Sequence, residues 1–340
     1  MATTKEGQGL TIVFGTAGFN PTHNYRTPTE AKEVLDTIYS LGVTHLDTAQ
    51  LYGKSESVLG EINASSRFNI DTKSKGGFDA GNALIPETLY ENAHRSLERL
   101  NVKSVDVFYI HAPDDAFPPK TWLPTIDKLY KEGVFARLGL SNFHPHQVRE
   151  VYDEAVSQNF VRPTVFQGNY SPVTRHQETE LFPLLRELGI AFYAYSPLAG
   201  GFLAKTKKSL LEENGVTEGR FASANASGPA NMYRDMYLKP SLLDALEEWG
   251  KAAEEEGVSK AELAYRWVSY HSPLKREQGD ALIIGARNIE QAVQTIEGLK
   301  KGALKASVLE KIDKVWEGVK NEAPLDNYNS YTKLRQGEGK

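Results

Sequence analysis

Apolar residues along the chain gather into short β-rich clusters, separated by longer stretches in which they recur every third or fourth position. Eight clusters stand out: TIVFG (11–15), HLDTA (45–49), FNIDTK (68–73), VDVFYIH (105–111), RLGLSN (137–142), TVFQGN (164–169), AFYAYSP (191–197) and ALIIGA (281–286). None keeps a strict apolar–polar alternation, as suits strands buried on both faces. Most of the segments between them are helical in pattern. TPTEAKEVLDTIYSLG opens on Thr-Pro and stops at Gly42, IPETLYENAHRSLERL aligns Leu89, Ala93, Leu97 and Leu100 on one face, and TELFPLLRELG ends on glycine. Strands alternating with helices predict a parallel sheet covered on both sides. Eight such units fit one closed α/β barrel of the (β/α)8 TIM type, ordinarily about 250 residues with insertions above that. A doubly wound open sheet satisfies the same periodicity, because periodicity cannot see closure.

No linker or low-complexity stretch divides the 340 residues, so a single domain is expected, with a core over about 11–320 and a tail over 321–340. Two insertions stand out. The segment 198–239, rich in Gly, Ala, Ser and Asn, reads as a long loop over the barrel mouth, and the polar tail PLDNYNSYTKLRQGEGK carries two tyrosines. Loops of that length in a compact domain are usually functional or disordered.

Composition narrows the chemistry. The net charge of −5 leaves no general basic footprint, so nucleic acid is not an expected partner. The absence of cysteine removes disulfides, thiolate nucleophiles and cysteine-ligated zinc. There is no signal-peptide pattern and no apolar run of membrane-spanning length, which makes the cytoplasm the expected compartment and a membrane an unexpected partner. His144 and His146 in FHPHQ have no third ligand spaced to join them, and no metal is expected.

In a barrel of this type, chemistry belongs at the C-terminal ends of the strands. There the chain sets Asp47, Lys73, His111, Ser141, Asn142, Gln167 and Tyr195, with Tyr52 in the loop after Asp47 and Arg287 just beyond the last strand. Singly, each has an ordinary structural reading. Together, a tyrosine with a lysine and an aspartate at neighbouring strand ends forms a proton donor. A free phenol titrates near 10; a cation beside it lowers that value, and a carboxylate holds the cation in place. A histidine there can orient a polar substrate atom. Lys75, two residues on, competes for the lysine role. Ser55 is the expected cap of the helix that follows.

The strings FGTAGFN, LDTAQLYGKSE, DTKSKGG, VDVFYIH, LGLSNF, VFQGNYS, AYSPLAGG and IIGARNIEQA, in this order over 15–298, resemble the successive motifs of the aldo-keto reductase family. Within it, QGNYSPVTRHQETELFPLLRELGIAFYAYSPLAGGFL is most similar to the aflatoxin-aldehyde reductase branch. The resemblance implies a (β/α)8 barrel that binds NADPH and passes hydride to aldehydes or ketones, dicarbonyls included, in detoxification or a natural-product pathway. It makes Asp47, Tyr52, Lys73 and His111 the catalytic tetrad, with Tyr52 donating the proton. A small-molecule carbonyl compound is then the partner. The β subunits of potassium channels share this resemblance, which leaves a nucleotide-binding regulatory subunit of little turnover as the alternative. The residues leave the oligomeric state open, a homodimer among the options.

By the same resemblance, Gly15, Thr16, Ser141, Asn142, Gln167, Tyr195, Ser196, Leu198, Gly200, Gly201, Lys205, Arg220, Gly285, Arg287 and Gln291 hold the cofactor. Ser141, Asn142 and Gln167 match the carboxamide site, Tyr195 the nicotinamide-stacking aromatic, and Arg287 a partner for the 2′-phosphate that favours NADPH over NADH. The turn 196–201 matches the pyrophosphate cradle, Gln291 the adenosine end. Lys205 and Arg220 are cationic clamps or solvated charges; their positions do not choose. Two departures weaken the adenosine end, Ala286 in place of serine and Thr295 in place of asparagine. Phe19, Tyr25, Phe78, Tyr170 and Arg234 match the substrate pocket, with Tyr328, Tyr331 and Arg335 of the tail closing over it.

Overall fold

Each of the eight apolar clusters forms a strand: β1 (Thr11–Gly15), β2 (His45–Asp47), β3 (Asn69–Ser74), β4 (Val105–Ile110), β5 (Phe135–Ser141), β6 (Pro163–Asn169), β7 (Ala191–Tyr195) and β8 (Ala281–Ile284). The computed structural model describes residues 9–212, 215–217, 219–222 and 229–337, without the side chains of 229–231 and 333–337. All neighbouring strands run parallel, and β8 returns to β1 through Thr11↔Ala281 to Phe14↔Ile284. The sheet is therefore a closed barrel in sequence order, and the open-sheet alternative is excluded.

The helical segments follow their sequence signals. In the helix Pro28–Ser40, Thr27 accepts the Glu30 amide at 3.2 Å while the Glu30 carboxylate accepts the Thr27 amide at 3.3 Å, closing a capping box. Its buried face is Ala31, Val34, Leu35 and Ile38. The helix Pro86–Leu100 buries Leu89, Ala93, Leu97 and Leu100, and stops at Asn101 in the left-handed region, φ 53°.

The segment 198–239 departs from its reading as a loop. It holds a 3-10 turn (Ala199–Ala204) and two helices, Lys207–Leu211 and Pro229–Tyr237. The reason is aromatic: Phe202 stacks on Tyr237 at 5.4 Å, and Phe221 meets Tyr233 edge-on at 6.1 Å, giving the insertion a small core of its own. The tail likewise folds, as the helix Asn327–Gly337, capped by Asp326, whose carboxylate accepts the Asn329 amide at 2.7 Å. The Arg335 side chain lies outside the described residues. Among the described residues no helix is long and apolar enough to cross a membrane.

Two apolar cores result, one between barrel and helices and a smaller one inside the barrel, built from Val13, Val107, Tyr109, Val165, Ala191, Tyr193, Ala281 and Ile283. The smaller core draws on β1, β4, β6, β7 and β8, whereas β2, β3 and β5 send polar groups inward. Gly139 makes room for an interior ring: a Cβ at this position would lie 2.2 Å from the Tyr109 ring. Gly139→Ala should therefore destabilise the protein by about 1–3 kcal/mol through overpacking. A lowered denaturation midpoint is the expected reading; an unchanged one would mean that the ring is free to move aside.

Candidate active site

Asp47 ends β2 and Lys73 lies one residue from the end of β3, so both project inward at the C-terminal rim. The Lys73 ammonium is fully buried and donates to Asp47 Oδ1 at 2.6 Å, Asp47 Oδ2 at 2.7 Å and the Thr48 carbonyl at 2.8 Å. Burial alone would lower the Lys73 pKa, but the Asp47 carboxylate, with Tyr52 and Asp71, more than offsets it, and the net shift is upward. Lys75 pairs instead with Asp79 at 3.3 Å, partly exposed and outside this cluster.

Tyr52 lies over this pair, with the Lys73 nitrogen 5.2 Å from its ring centre and the His111 ring edge-on at 6.0 Å. Its phenol is held above the usual value because burial outweighs the pull of Lys73, with Asp47 adding to the rise. The expected lowering by the cation is present but loses to desolvation, so the resting phenol keeps its proton. His111 is neutral: burial, then Lys73, pushes its pKa well below the usual range. Its Nδ1 is buried without a hydrogen-bond partner among the described residues.

The loop that carries Tyr52 is fastened by hydroxyls. Ser55 Oγ donates to the Thr16 carbonyl at 2.9 Å, accepts from Thr48 Oγ1 at 2.8 Å and lies 2.8 Å from Thr16 Oγ1. Thr16 in turn donates both its amide (2.8 Å) and its hydroxyl (2.9 Å) to the Asp47 carbonyl. One expectation is corrected here: Ser55 is not a cap, since the helix Ser55–Glu61 has no side-chain cap. The fully buried Thr16 side chain fixes Asp47. Glu56 pins the same helix, accepting from Thr72 at 2.7 Å and Arg99 at 3.2 Å.

The amides expected at the carboxamide site are engaged within the protein. Gln167 donates to Asp47 Oδ1 at 2.8 Å. Asn142, in the left-handed region at φ 63°, donates to the His111 carbonyl at 2.9 Å and to Ser141 Oγ at 3.1 Å, and accepts from the Tyr195 hydroxyl at 2.8 Å. These bonds bring Ser141, Asn142, Gln167 and Tyr195 into one network with the Asp47–Lys73 pair and His111.

Further along the rim, Ser196, Ala199, Gly200 and Gly201 all take positive φ, a tight turn that exposes backbone. A Cβ added at Gly201 or Gly285 would meet no described atom within 4 Å, so both face open space, while one at Gly219 would come 3.7 Å from the Arg287 guanidinium. That last distance sets the Arg220 turn beside Arg287. The Arg220 guanidinium donates to the Tyr233 hydroxyl at 2.5 Å. Gln291 accepts the Arg287 amide at 3.1 Å, and Asn288 caps the helix Ile289–Leu299 that follows. Leu198 accepts the Gly201 amide at 2.9 Å inside the turn, and Lys205 closes it, its amide donating to Phe202 at 2.9 Å.

Of the expected substrate wall, Phe78 lies 5.0 Å from the His111 ring and 5.0 Å from Tyr328 of the tail, with Tyr331 at 6.1 Å. Tyr170, Phe19 and Tyr25 lie apart from this cluster. Tyr170 is fully buried behind β6, donating to Glu178 at 2.6 Å and packed on Phe182 and Trp267. Phe19 and Tyr25 pack on each other in the outer core at 5.2 Å. In each case a large ring next to a motif satisfies the barrel's outer layer instead of its mouth. Arg234 donates to the Phe221 carbonyl at 3.3 Å, which ties it to the insertion. The sequence reading missed Tyr233 and Asn327: Asn327 donates through Nδ2 to Tyr233 at 2.9 Å and through its amide to Tyr195 at 3.4 Å. Nothing local in the sequence marks either residue.

The family model described as Aldo/keto reductase matches residues 11–317. The chain is 34% identical to Oxidoreductase sirO of Leptosphaeria maculans over 322 residues, 92% of this chain and 95% of that protein. It is 36% identical to Aflatoxin B1 aldehyde reductase member 2 of Rattus norvegicus over 292 residues, 83% of this chain and 79% of that one. The human Aflatoxin B1 aldehyde reductase member 4 is also 36% identical over 292 residues, 83% of this chain and 87% of its own.

The buried pair generates a stability test. Asp47→Ala leaves the Lys73 ammonium with the Thr48 carbonyl alone and should cost about 3–5 kcal/mol. The double variant Asp47→Ala/Lys73→Met should recover much of that in denaturant titrations. Simply additive losses would show that neither residue depends on the other.

Proposed function

The chain belongs to the aldo/keto reductase family, and on that premise we propose that this oxidoreductase reduces aldehydes with NADPH, Tyr52 giving the proton. The observation that supports this reading most is the convergence of Tyr52, Lys73, Asp47 and His111 at the rim, with the phenol protonated and the imidazole neutral. A proton donor must hold its proton until the substrate arrives and then bear the charge it leaves behind. Burial does the first, and the ammonium beneath the ring does the second. Asp47 keeps that ammonium in place. A neutral His111 cannot be the acid; it orients a carbonyl oxygen by hydrogen bonding.

The residues fit a dinucleotide. Arg287 beside the Gly219–Arg220 turn would offer a guanidinium to a phosphate, the positive-φ turn 196–201 brings backbone close to whatever lies in the open space at Gly201, and the helix starting at Ile289 adds an anion-favouring terminus. Ser196, Leu198, Gly200, Gly201 and Lys205 follow β7, Gly285 and Gln291 follow β8, and Gly15 ends β1; all are assigned to the cofactor on this reading. NADPH, when bound, supplies the hydride for the carbonyl carbon. Tyr195, steadied by Asn142 and Asn327, would stack on the nicotinamide, and Gln167 keeps its carbonyl oxygen for the carboxamide.

The substrate class follows from the rings around the phenol. Phe78, His111, Tyr328 and Tyr331 form an aromatic wall, which favours an apolar or planar aldehyde. The names of the rat and human relatives, aflatoxin B1 aldehyde reductases, agree with such a ligand. A carboxylate role for Arg234 draws no support from its bond to Phe221.

Tyr52→Phe removes the proton and keeps the ring. It should lower kcat with an aldehyde panel by about 10²–10⁴-fold while NADPH still binds; a variant turning over near the wild-type rate would refute the assignment. Arg287→Ala should weaken NADPH by about 1.5–3 kcal/mol and leave NADH nearly untouched, read by quenching of protein fluorescence. Equal losses for both nucleotides would remove Arg287 from the 2′-phosphate.

A further inference from the structure

Beneath the Lys73–Asp47 pair, β3 carries a second acid. Asp71 and Lys73 are two residues apart and share the inward face of the strand, and Asp71 is the register partner of Asp47 on β2. Asp71 is 1% exposed. Its Oδ1 accepts the Val107 amide at 3.2 Å, while Oδ2 is buried with no hydrogen-bond partner among the described residues. The Tyr109 hydroxyl, from the residue of β4 in register with Lys73, is buried and unpartnered as well.

The cations nearby are already committed. The three protons of Lys73 go to Asp47 Oδ1, Asp47 Oδ2 and the Thr48 carbonyl. Arg137 on β5 makes a bidentate pair with Asp106 at 3.0 and 2.8 Å and donates to the Tyr193 hydroxyl of β7 at 3.1 Å. His45, at the other end of β2, bonds Thr44 and Asn69 at 3.2 Å each, and its pKa is lowered by burial. Two carboxyls thus stand side by side in the barrel with one ammonium, and that ammonium is saturated by Asp47.

We propose that Asp71 is a positioning residue kept as a neutral carboxylic acid while the enzyme works, and that its ionisation shuts the site down on the alkaline side. The charge count gives the reason. With Asp71 neutral, Lys73 and Asp47 cancel, and loss of the Tyr52 proton to the substrate takes the four side chains from zero to one negative charge. With Asp71 ionised, the same transfer takes these side chains from one negative charge to two, in a buried region that screens them weakly. Burial first, then the Asp47 and Asp106 carboxylates, holds the Asp71 carboxyl well above its usual range against the pull of Arg137 and Lys73. Ionisation of Asp71 acts on the phenol through Lys73 and Asp47, without contact to a substrate.

The kinetic half of this inference rests on the reading of Tyr52 as proton donor; the buried acid does not. An unfolded aspartate titrates near 3.9. Above that pH the folded protein keeps a proton that the unfolded chain has released, so its stability falls as pH rises, until Asp71 ionises in place. Asp71→Asn and the smaller Asp71→Ser have no such proton. Measured together by denaturant unfolding from pH 5 upward, either folded variant should gain on the wild type by about tenfold in folded-to-unfolded ratio per pH unit. A wild-type-to-variant difference constant with pH would overturn the proposal. In NADPH-coupled aldehyde reduction, the alkaline fall of kcat should move to higher pH in the same variants; an unmoved limb would overturn the shut-down role. Tyr52→Phe run alongside separates the two ideas. If it retains turnover, the proton-donor reading fails, while the stability curves still decide whether Asp71 holds its proton.

Discussion

An ammonium in the middle of a protein has to be answered, and the upper half of this barrel is arranged around that requirement. Isolating such an ion from water costs several kcal/mol. Lys73 meets the cost with both oxygens of Asp47 and the Thr48 carbonyl. Those acceptors must stay where they are, and neighbouring groups see to it. Thr16 grips the Asp47 carbonyl with its amide and hydroxyl, Ser55 ties Thr16 to Thr48, and Gln167 reaches from β6 to Asp47 Oδ1. The ends of β1, β2, β3 and β6 are thereby held to one another by polar contacts, where a barrel core would ordinarily rely on apolar packing alone.

The pair also sets the electrostatics of everything above it. A charge-neutral Lys73–Asp47 unit pulls only modestly on the Tyr52 phenol, less than burial pushes the other way, and the phenol stays protonated. The same ammonium is one of the two causes that keep His111 neutral. The protonated phenol and the neutral imidazole thus share one buried ion as a neighbour, which pulls the pKa of each downward.

Much of this was legible in the sequence. The eight strands sit where the apolar clusters are, and the tetrad positions fall on the strand ends and loop that the pattern marked. What could not be read is of a different kind. Closure depends on pairing between β1 and β8, some 270 residues apart and invisible to local periodicity. Ser55 looked like a cap because a serine ahead of an apolar run has that local chemistry; its buried bonds to Thr16 and Thr48 come from other parts of the chain. Tyr170 next to the β6 motif and Phe19 next to the β1 motif resembled pocket walls. Whether a ring points into the mouth or under a helix turns on loop geometry, which composition does not encode. The insertion after β7 was judged by its small polar residues, and the four rings that give it a core were spread too thinly to show periodicity.

The insertion and the tail also change what should be counted as part of the site. A continuous run of hydrogen bonds joins Arg220 to Tyr233, Tyr233 to Asn327, Asn327 to Tyr195, Tyr195 to Asn142 and Asn142 to the carbonyl of His111. Its members come from the insertion, the tail and the ends of β4, β5 and β7. Tyr233 accepts from both Arg220 and Asn327, so a shift in the guanidinium is felt by the tail through one oxygen. The tail is also the element whose Tyr328 and Tyr331 rings close on Phe78 beside His111. The rim edge at Arg220 and the aromatic rings beside His111 are therefore joined through the tail. A residue such as Asn327, far from the motifs in sequence and unremarkable in type, gains its importance from standing where these two meet.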